Sequence, residues 1–284
     1  YLYYLLLAIL LIRFIIYPLI MVFKAPPTPT LNTNKLPQEK EELYKYGMLL
    51  ACNSRHIANK KDRKNHTSAL IHKLENGKDN HDQLKELITH EINHRMKLID
   101  GTIREKAKSV LLITALSQNG KFDFLTSLII NVKLIHQIVD LSGFRPSYGQ
   151  LYRLYFEVFL ASFITDFSED FLDEIDFSAI LGSVSVPVIL LKSAIDGSLS
   201  ALMTMRIGYI TKAYIRKGTR KITDVKQNRE FRKEARHEAI KKSITTFPAL
   251  AQEGLKQING TSLKAVGGWV KNFFTGGVFT RKTT

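Results

Sequence analysis

The spacing of apolar residues separates a long apolar start from a helical remainder. Residues 1–23 (YLYYLLLAILLIRFIIYPLIMVF) carry a single charge, Arg13. A helix of about 20 apolar residues crosses the hydrocarbon layer of a bilayer, so we predict a transmembrane helix here. A signal peptide is the alternative, but its apolar run is shorter and a small-residue cleavage pattern follows it. Arg13, near mid-depth, favours a companion helix or a side chain that reaches the membrane surface.

From Pro37 onward the apolar residues recur three and four positions apart, with almost no alternation of period two. This spacing is typical of amphipathic helices. The predicted fold class is therefore all-α, an N-terminal transmembrane helix followed by a multi-helix cytoplasmic domain. The predicted helices span residues 38–61, 67–75, 82–118, 122–142, 148–164, 167–191 with a break at Gly182 or Pro187, 194–216, 224–246 and 262–274.

Three further apolar stretches, residues 110–116, 124–135 and 179–191, are too short to span a membrane. We predict that they are buried core helices. The alternative is a hairpin that dips into the membrane over residues 179–215 and turns at Asp196 and Gly197, as in an oligomeric pore or membrane-remodelling protein.

The charge balance favours an acidic partner. The chain has 41 Lys and Arg against 26 Asp and Glu, a formal net charge of +15, which suits a membrane surface, a nucleic acid or an acidic protein. Basic residues cluster over 55–64, after the predicted anchor, so the bulk of the chain is expected on the cytoplasmic side. Cys52 is the single cysteine, which excludes an internal disulfide framework.

Charge is also segregated along the second half of the chain. Residues 166–176 are acidic and residues 216–242 are strongly basic. Either these are two solvated helix faces that face each other, or the basic segment meets anionic lipid. Nucleic acid is not expected as a partner, because the basic segment has few aromatic residues to stack on bases.

The C-terminal tail has the composition of a helix at a membrane interface. Trp269, Phe273 and Phe274 lie among lysines and arginines there, and such a mixture is typical of interfacial helices. The alternative is a last helix that docks on the core.

The motif HEINH, residues 90–94, has the His-Glu-x-x-His spacing of zinc peptidases, in which two histidines bind the metal and the glutamate activates water. On a helical wheel His90 and His94 fall on the polar face. Lys97 and Asp100 stand where an extended motif would have its glycine and third ligand. The opposite face is a predicted core stripe of Leu84, Ile88, Ile92, Arg95, Met96, Ile99 and Ile103.

We therefore predict no catalytic residue and no metal site, and keep a membrane-tethered zinc metallopeptidase centred on His90, Glu91 and His94 as the alternative. The chain has no P-loop and no G-x-G-x-x-G after a strand, so no nucleotide or other cofactor is expected.

The segments HQIVDLSGFRPSYGQLYRLYFEVF and AIDGSLSALMTMRIGYITKAYI resemble the bacterial YcjF-like inner-membrane family. That family includes a helical domain of unknown function found beside, or fused to, Era-like and other P-loop GTPases. The resemblance covers residues 105–220, although members of the family show two membrane spans. The matching positions are Gly143, Arg145, Pro146, Asp196, Gly197, Arg206 and Gly208.

Physical roles can be assigned to these positions as expectations. Gly143 is expected to cap a helix in a left-handed conformation, and Pro146 to start the next helix. Arg145 either caps carbonyls at that helix end or anchors a partner's carboxylate. Gly208 is expected to let two helices approach closely, and Arg206 to pair with Asp196 or with the acidic segment.

Together these observations predict a membrane-anchored helical interaction or scaffold module at the bacterial inner membrane, and not an enzyme. The resemblance implies a P-loop GTPase as its partner beside the lipid membrane, and a homo-oligomer is compatible with this interpretation. The predicted organisation is an anchor (1–24), a linker (25–36), a helical stalk or hairpin (37–104), a YcjF-like helical domain (105–220), and a basic helix with an amphipathic tail (221–284).

Overall fold

In the computed structural model the described part of the chain is all-helical. It comprises Tyr4, Leu5 and Ile9 together with residues 11–29, 40–57, 59–116, 120–161, 191–217 and 225–260. A π-helical turn, Ile12–Ile16, is followed by α1 (Tyr17–Lys24), α2 (Lys40–Cys52), α3 (Lys60–Asn76), α4 (His81–Leu116), α5 (Gly120–Ser142), α6 (Tyr148–Ala161), α7 (Leu191–Lys217) and α8 (Val225–Gly260). This confirms the predicted helical class for the described residues.

The main bundle, which we define as α4, α5, α7 and α8, is built around α4. Helix α7 packs along α4, and α5 and α8 cover the remaining sides of this pair. Two glycines of α7 bring the helices together: a Cβ on Gly197 would lie 2.7 Å from the carbonyl oxygen of Leu111, and one on Gly208 would lie 2.7 Å from Cγ1 of Ile103. The close approach expected at Gly208 is therefore confirmed.

The hairpin turn considered at Asp196 and Gly197 is wrong. Both residues lie inside the continuous helix α7, where Gly197 is buried against the α4 backbone. The same continuity excludes a pair between Asp196 and Arg206, because ten helical residues separate them by about 15 Å along the axis. The acidic segment, the other partner considered for Arg206, lies outside the described residues.

The corner, which we define as α2, α3 and the first half of α4, has a second, smaller core. Leu43, Leu74 and Ile88 are among its fully buried residues, and Phe144 enters it from the turn after α5. A single helix over 38–61 was predicted here, and that prediction is wrong, because α2 ends at Cys52 and α3 begins at Lys60. Asn59 caps α3 by accepting a hydrogen bond from the Lys61 N–H at 2.9 Å.

Helix α8 is longer than predicted, running to Gly260 rather than to residue 246. Pro248 suggested an earlier end, because a proline removes one backbone hydrogen bond. Phe247, Leu250 and Ala251 are nevertheless buried against the rest of the protein. Tertiary packing on both sides of the proline therefore continues the helix.

The described part of the N-terminal apolar segment lies along α5. Pro18 stands in the first turn of α1, directly after the π-helical turn, and its missing N–H explains why the helix widens just before it. Val22 is fully buried in the main core, and Arg13 lies over the ring of Tyr17. Half of the predicted anchor is thus docked on the helical domain.

One stretch among the described helices, Leu125–Ser142 in α5, has the length and mean hydropathy to cross a bilayer. More than half of it (56%) is buried inside the protein. A core helix of a soluble protein has the same features, so this is weak support for a membrane span. The N-terminal segment, where a span was predicted, is described only in part.

Candidate functional site

The turn after α5, residues 143–147, contacts both the corner and the chain that follows α1. We call it the junction turn. Gly143 has a φ of +83°, and its N–H donates to the carbonyl oxygen of Val139 at 2.9 Å, which is the predicted left-handed helix cap. A Cβ at this position would lie 2.4 Å from the Asn53 carbonyl oxygen. Only glycine therefore fits both the backbone conformation and the close contact with the corner.

Arg95 is the largest fully buried side chain of the protein's described part, with 1% of its surface exposed. Its guanidinium uses all five of its N–H donors. Nε donates to Oε1 of Glu91 at 2.7 Å, Nη1 to the carbonyl oxygens of Asn53 and Ser142 at 3.1 Å each, and Nη2 to the Leu50 carbonyl at 2.9 Å and the Ser54 hydroxyl at 3.2 Å.

These bonds explain why a cation is tolerated in the interior. The C-terminal ends of α2 and α5 converge on the guanidinium, and helix C-termini carry partial negative charge. Burial raises the pKa of the Glu91 carboxyl, but the charge and hydrogen bond of Arg95 outweigh burial and leave the pKa below its usual value. Glu91 is thus ionised at neutral pH and completes the charge balance.

A cluster of histidines surrounds the free edge of Glu91. Nε2 of His56 lies 3.9 Å from Oε1, and Nε2 of His66 lies 3.7 Å from Oε2. Burial lowers the pKa of His56 to about 4, with a further contribution from Arg95, while Glu91 acts in the opposite direction. His56 is therefore a neutral imidazole at pH 7, a form able to bind a metal ion.

His56, His66 and Glu91 are the one group of metal-ligating side chains whose donor atoms lie within 4.8 Å of one another in the described residues. Within the HEINH motif, by contrast, His90 and His94 are exposed while Glu91 is buried. The helical wheel placed the two histidines correctly. Sequence reasoning missed His56 and His66. Arg95 in the core stripe indicates a carboxylate partner one helical turn away, at Glu91, but it does not indicate the two histidines.

Arg145 is hydrogen-bonded to the chain that follows α1. Its Nε donates to the carbonyl oxygen of Ala25 at 2.9 Å and its Nη1 to that of Pro146 at 3.0 Å. Its backbone N–H donates to the Pro26 carbonyl, and its own carbonyl accepts from the Thr28 N–H, both at 2.9 Å. The side chain is buried, which argues against a contact with a partner's carboxylate. The carbonyls that it caps are those of Ala25 and Pro146 and not, as expected, those at the end of α5.

Pro146 lies two residues before α6, not in its first turn. The cap is a reciprocal pair: the Ser147 N–H donates to Oε1 of Gln150 at 3.0 Å, and the Gln150 N–H donates to the Ser147 hydroxyl at 3.4 Å.

Trp269, Phe273 and Phe274, which were expected at a membrane interface, lie outside the described residues. Of the matching positions, Gly143, Arg145, Gly197 and Gly208 thus lie at contacts between helices, whereas Asp196 is exposed on α7.

Two adjoining elements expose rows of large apolar side chains. The first is the N-terminal helical segment, and the second, which we call the aromatic row, is on α6. Phe23 links them by stacking on Tyr148, with ring centroids 5.8 Å apart. The exposed members are Ile12, Ile16, Tyr17 and Ile20 on the first element, and Tyr148, Tyr152, Phe156 and Phe159 on the second.

A comparison with protein families matches residues 79–242 to a family described as a domain of unknown function, DUF697. No curated protein and no solved structure matches the chain. The matched region runs from the start of α4 into α8 and includes the Glu91–Arg95 pair, the junction turn and the aromatic row. It covers more than half of the sequence, and the chain therefore belongs to the DUF697 family.

Proposed function

We propose that the chain is a membrane-anchored helical interaction module that faces the cytoplasm and works with a P-loop GTPase at the bacterial inner membrane. The observation that carries the membrane part is the pair of exposed apolar rows on the N-terminal segment and α6. Large contiguous apolar surfaces are rare on soluble monomers and mark contacts with a membrane or a protein.

Lipid is the occupant that best suits this surface. In the sequence the N-terminal row is preceded by residues 1–10, which add only apolar and tyrosine side chains. Tyrosine is favoured at the boundary between lipid and water, and Tyr152, on the neighbouring helix, is 73% exposed. An inserted N-terminal segment would therefore bring the aromatic row to the membrane surface.

The junction turn supplies the connection from anchor to domain. Arg145 fixes the backbone of residues 25–28, so α1 cannot pivot freely about its own linker. A movement of the anchor would pass to α5 and, through Gly143 and Arg95, to the corner. This coupling suits a module that transmits or resists force between a membrane and a bound partner.

A binding role suits Glu91 better than a catalytic one. The general base of a zinc peptidase must be free to take a proton from metal-bound water. Here the Glu91 carboxylate accepts a 2.7 Å hydrogen bond from a buried arginine, which holds it ionised as a structural partner. The proposal of a GTPase partner is supported by the resemblance of residues 105–220 to the YcjF-like family.

Fluorescence quenching by brominated lipids tests the membrane part. Cys52 is the single cysteine and is exposed on the corner, so a fluorophore there reports on the corner. A Cys52→Ser, Tyr152→Cys variant moves the same fluorophore to the aromatic row. We expect strong quenching in liposomes at position 152 and weak quenching at position 52; equal or absent quenching at both sites would contradict the proposal.

Purification in mild detergent tests the GTPase part. We expect a P-loop GTPase in stoichiometric amount, identified by mass spectrometry, and its loss when Asp173 and Glu174 in the acidic segment are changed to lysine. If the chain purifies without a GTPase while the quenching experiment still shows membrane contact, the GTPase part of the proposal is contradicted and the membrane part stands.

A further inference from the structure

We propose that His56, His66 and Glu91 form a binding site for one divalent transition-metal ion of the zinc class. The ion would fasten the loop after α2 and the helix α3 onto α4. This site is distinct from the HEINH pair, because it shares Glu91 with that motif but takes neither His90 nor His94 as a ligand.

The distances fit an ion better than direct hydrogen bonds. The gaps of 3.9 Å and 3.7 Å between the imidazole Nε2 atoms and the Glu91 oxygens exceed the upper limit of about 3.2 Å for a hydrogen bond. Bonds of about 2.0–2.1 Å to a tetrahedral zinc ion separate its donor atoms by about 3.4 Å. Small side-chain rotations therefore bring all three donors to one ion.

The chemistry of the donors points in the same direction. Two imidazoles and one carboxylate are a common ligand set for zinc and related ions. The His56 side chain is only 4% exposed, yet its Nδ1 has no hydrogen-bond partner among the described residues, and the same holds for Nδ1 of His66. The two rings pack edge to face, and no hydrogen bond at Nδ1 holds either of them against the small rotation that would bring its Nε2 to an ion.

Arg95 would hold the carboxylate ligand in place. It bonds Oε1 of Glu91 and leaves Oε2 facing His66. Ligating carboxylates are usually oriented by a hydrogen bond of this kind. The carbonyl oxygens of Leu50, Asn53 and Ser142, which point at the guanidinium, offset the repulsion between Arg95 and a nearby cation.

Solvent reaches the site on one side only. The His66 side chain is 34% exposed, whereas His56 and Glu91 are closed off by the corner. The fourth coordination position therefore faces water beside His66. An ion bound here would link residues 56, 66 and 91, which come from three separate elements.

Cobalt titration of the chelator-stripped full chain in detergent tests the proposal, because tetrahedral Co²⁺ has a characteristic visible absorption. We expect one Co²⁺ per chain, displaced by Zn²⁺. His66→Ala should weaken binding by at least about 100-fold, and Glu91→Gln should weaken it as well. His90→Ala, an exposed histidine on the same helix, is the matched control and should leave binding unchanged.

Folding is monitored separately, by thermal unfolding of each variant with chelator present. His66→Ala should unfold at the wild-type temperature under these conditions, and added Zn²⁺ should raise the unfolding temperature of the wild type and His90→Ala only. The proposal is overturned if the wild type binds no stoichiometric metal, if His66→Ala binds as the wild type does, or if His90→Ala abolishes binding. That last result would indicate that the ion binds to His90 and His94 of the HEINH motif.

Discussion

The corner and the main bundle are held to α4 by different means. In the bundle, buried hydroxyls bond within their own helices, as Thr211 does to the Ile207 carbonyl at 2.7 Å. Contact between the helices comes from apolar packing around Gly197 and Gly208, with partly exposed ion pairs such as Lys212–Asp100 at the margin. In the corner, Arg95 makes hydrogen bonds to the ends of two other helices. The interior of the bundle thus depends on shape, whereas the corner adds one buried cation to its own apolar core.

This difference predicts different sensitivities. A packed interface loses stability in proportion to the volume that is changed, whereas a buried charge network fails when one partner is removed. Substitutions in the two regions should therefore differ in how much stability they remove and in how many helices they expose to faster hydrogen exchange.

The largest effect is expected for Arg95→Met, which leaves Glu91 buried without its cation. The loss of stability should be about 3–5 kcal/mol, measured by urea unfolding. Hydrogen exchange should show faster exchange in α2 and α3 while α7 stays protected. Arg104→Met, at an exposed position of the same helix, is the control and should change stability by less than about 0.5 kcal/mol. Equal effects for the two variants would show that Arg95 does not hold the corner.

Gly143→Ala tests the junction turn. A left-handed alanine costs about 1–2 kcal/mol, and its Cβ would also meet the Asn53 carbonyl at 2.4 Å. We expect a total loss of about 2–3 kcal/mol, measured by thermal unfolding. Unchanged stability would mean that the turn can relax without disturbing α2.

Gly208→Ala tests the bundle. The new methyl group would lie 2.7 Å from Cγ1 and 3.0 Å from Cγ2 of Ile103, and overpacking of this kind costs about 1–2 kcal/mol. In an Ile103→Ala background, which removes Cγ1, Cγ2 and Cδ1, the Gly208→Ala change should no longer lower stability. An additive loss in the double variant, measured by urea unfolding, would argue against direct contact.

Gly101→Ala should have the smallest effect on the free energy of unfolding, and it should raise rather than lower it. A Cβ at this position in α4 meets no atom within 4 Å, and alanine in a helix interior is favoured over glycine by about 0.5–1 kcal/mol. We expect a gain of that size in urea unfolding. A loss would show that the exposed face of α4 is covered in the folded protein.

The sequence predicted much of the fold because apolar periodicity is a local signal. The stripe on α4 was recognised, including Arg95 as its charged member, and Gly143 was recognised as a left-handed cap. The break between α2 and α3 was missed, because the end of α2 is bound by Arg95, which donates to the Leu50 carbonyl from more than 40 residues away. No pattern within residues 40–61 contains that information.

The histidine cluster could not be predicted for the same reason. His56 follows α2 and His66 lies on α3, and only the tertiary fold brings both to Glu91. The motif HEINH drew attention to His90 and His94. The His94 ring does lie 6.3 Å from that of His56, but the side chains that the corner places beside the Glu91 carboxylate are His56 and His66. The turn considered at Asp196 and Gly197 failed likewise, because glycine serves close packing as well as turns.

Photo-crosslinking from the aromatic row in native membranes tests the membrane proposal most directly. A photoreactive amino acid at position 152 samples whatever covers this surface in the cell, and one at position 49, an exposed leucine of α2, provides the comparison. We expect lipid adducts at position 152 and none at position 49. A protein adduct at position 152 in place of lipid would contradict the proposal and would make the aromatic row a protein interface.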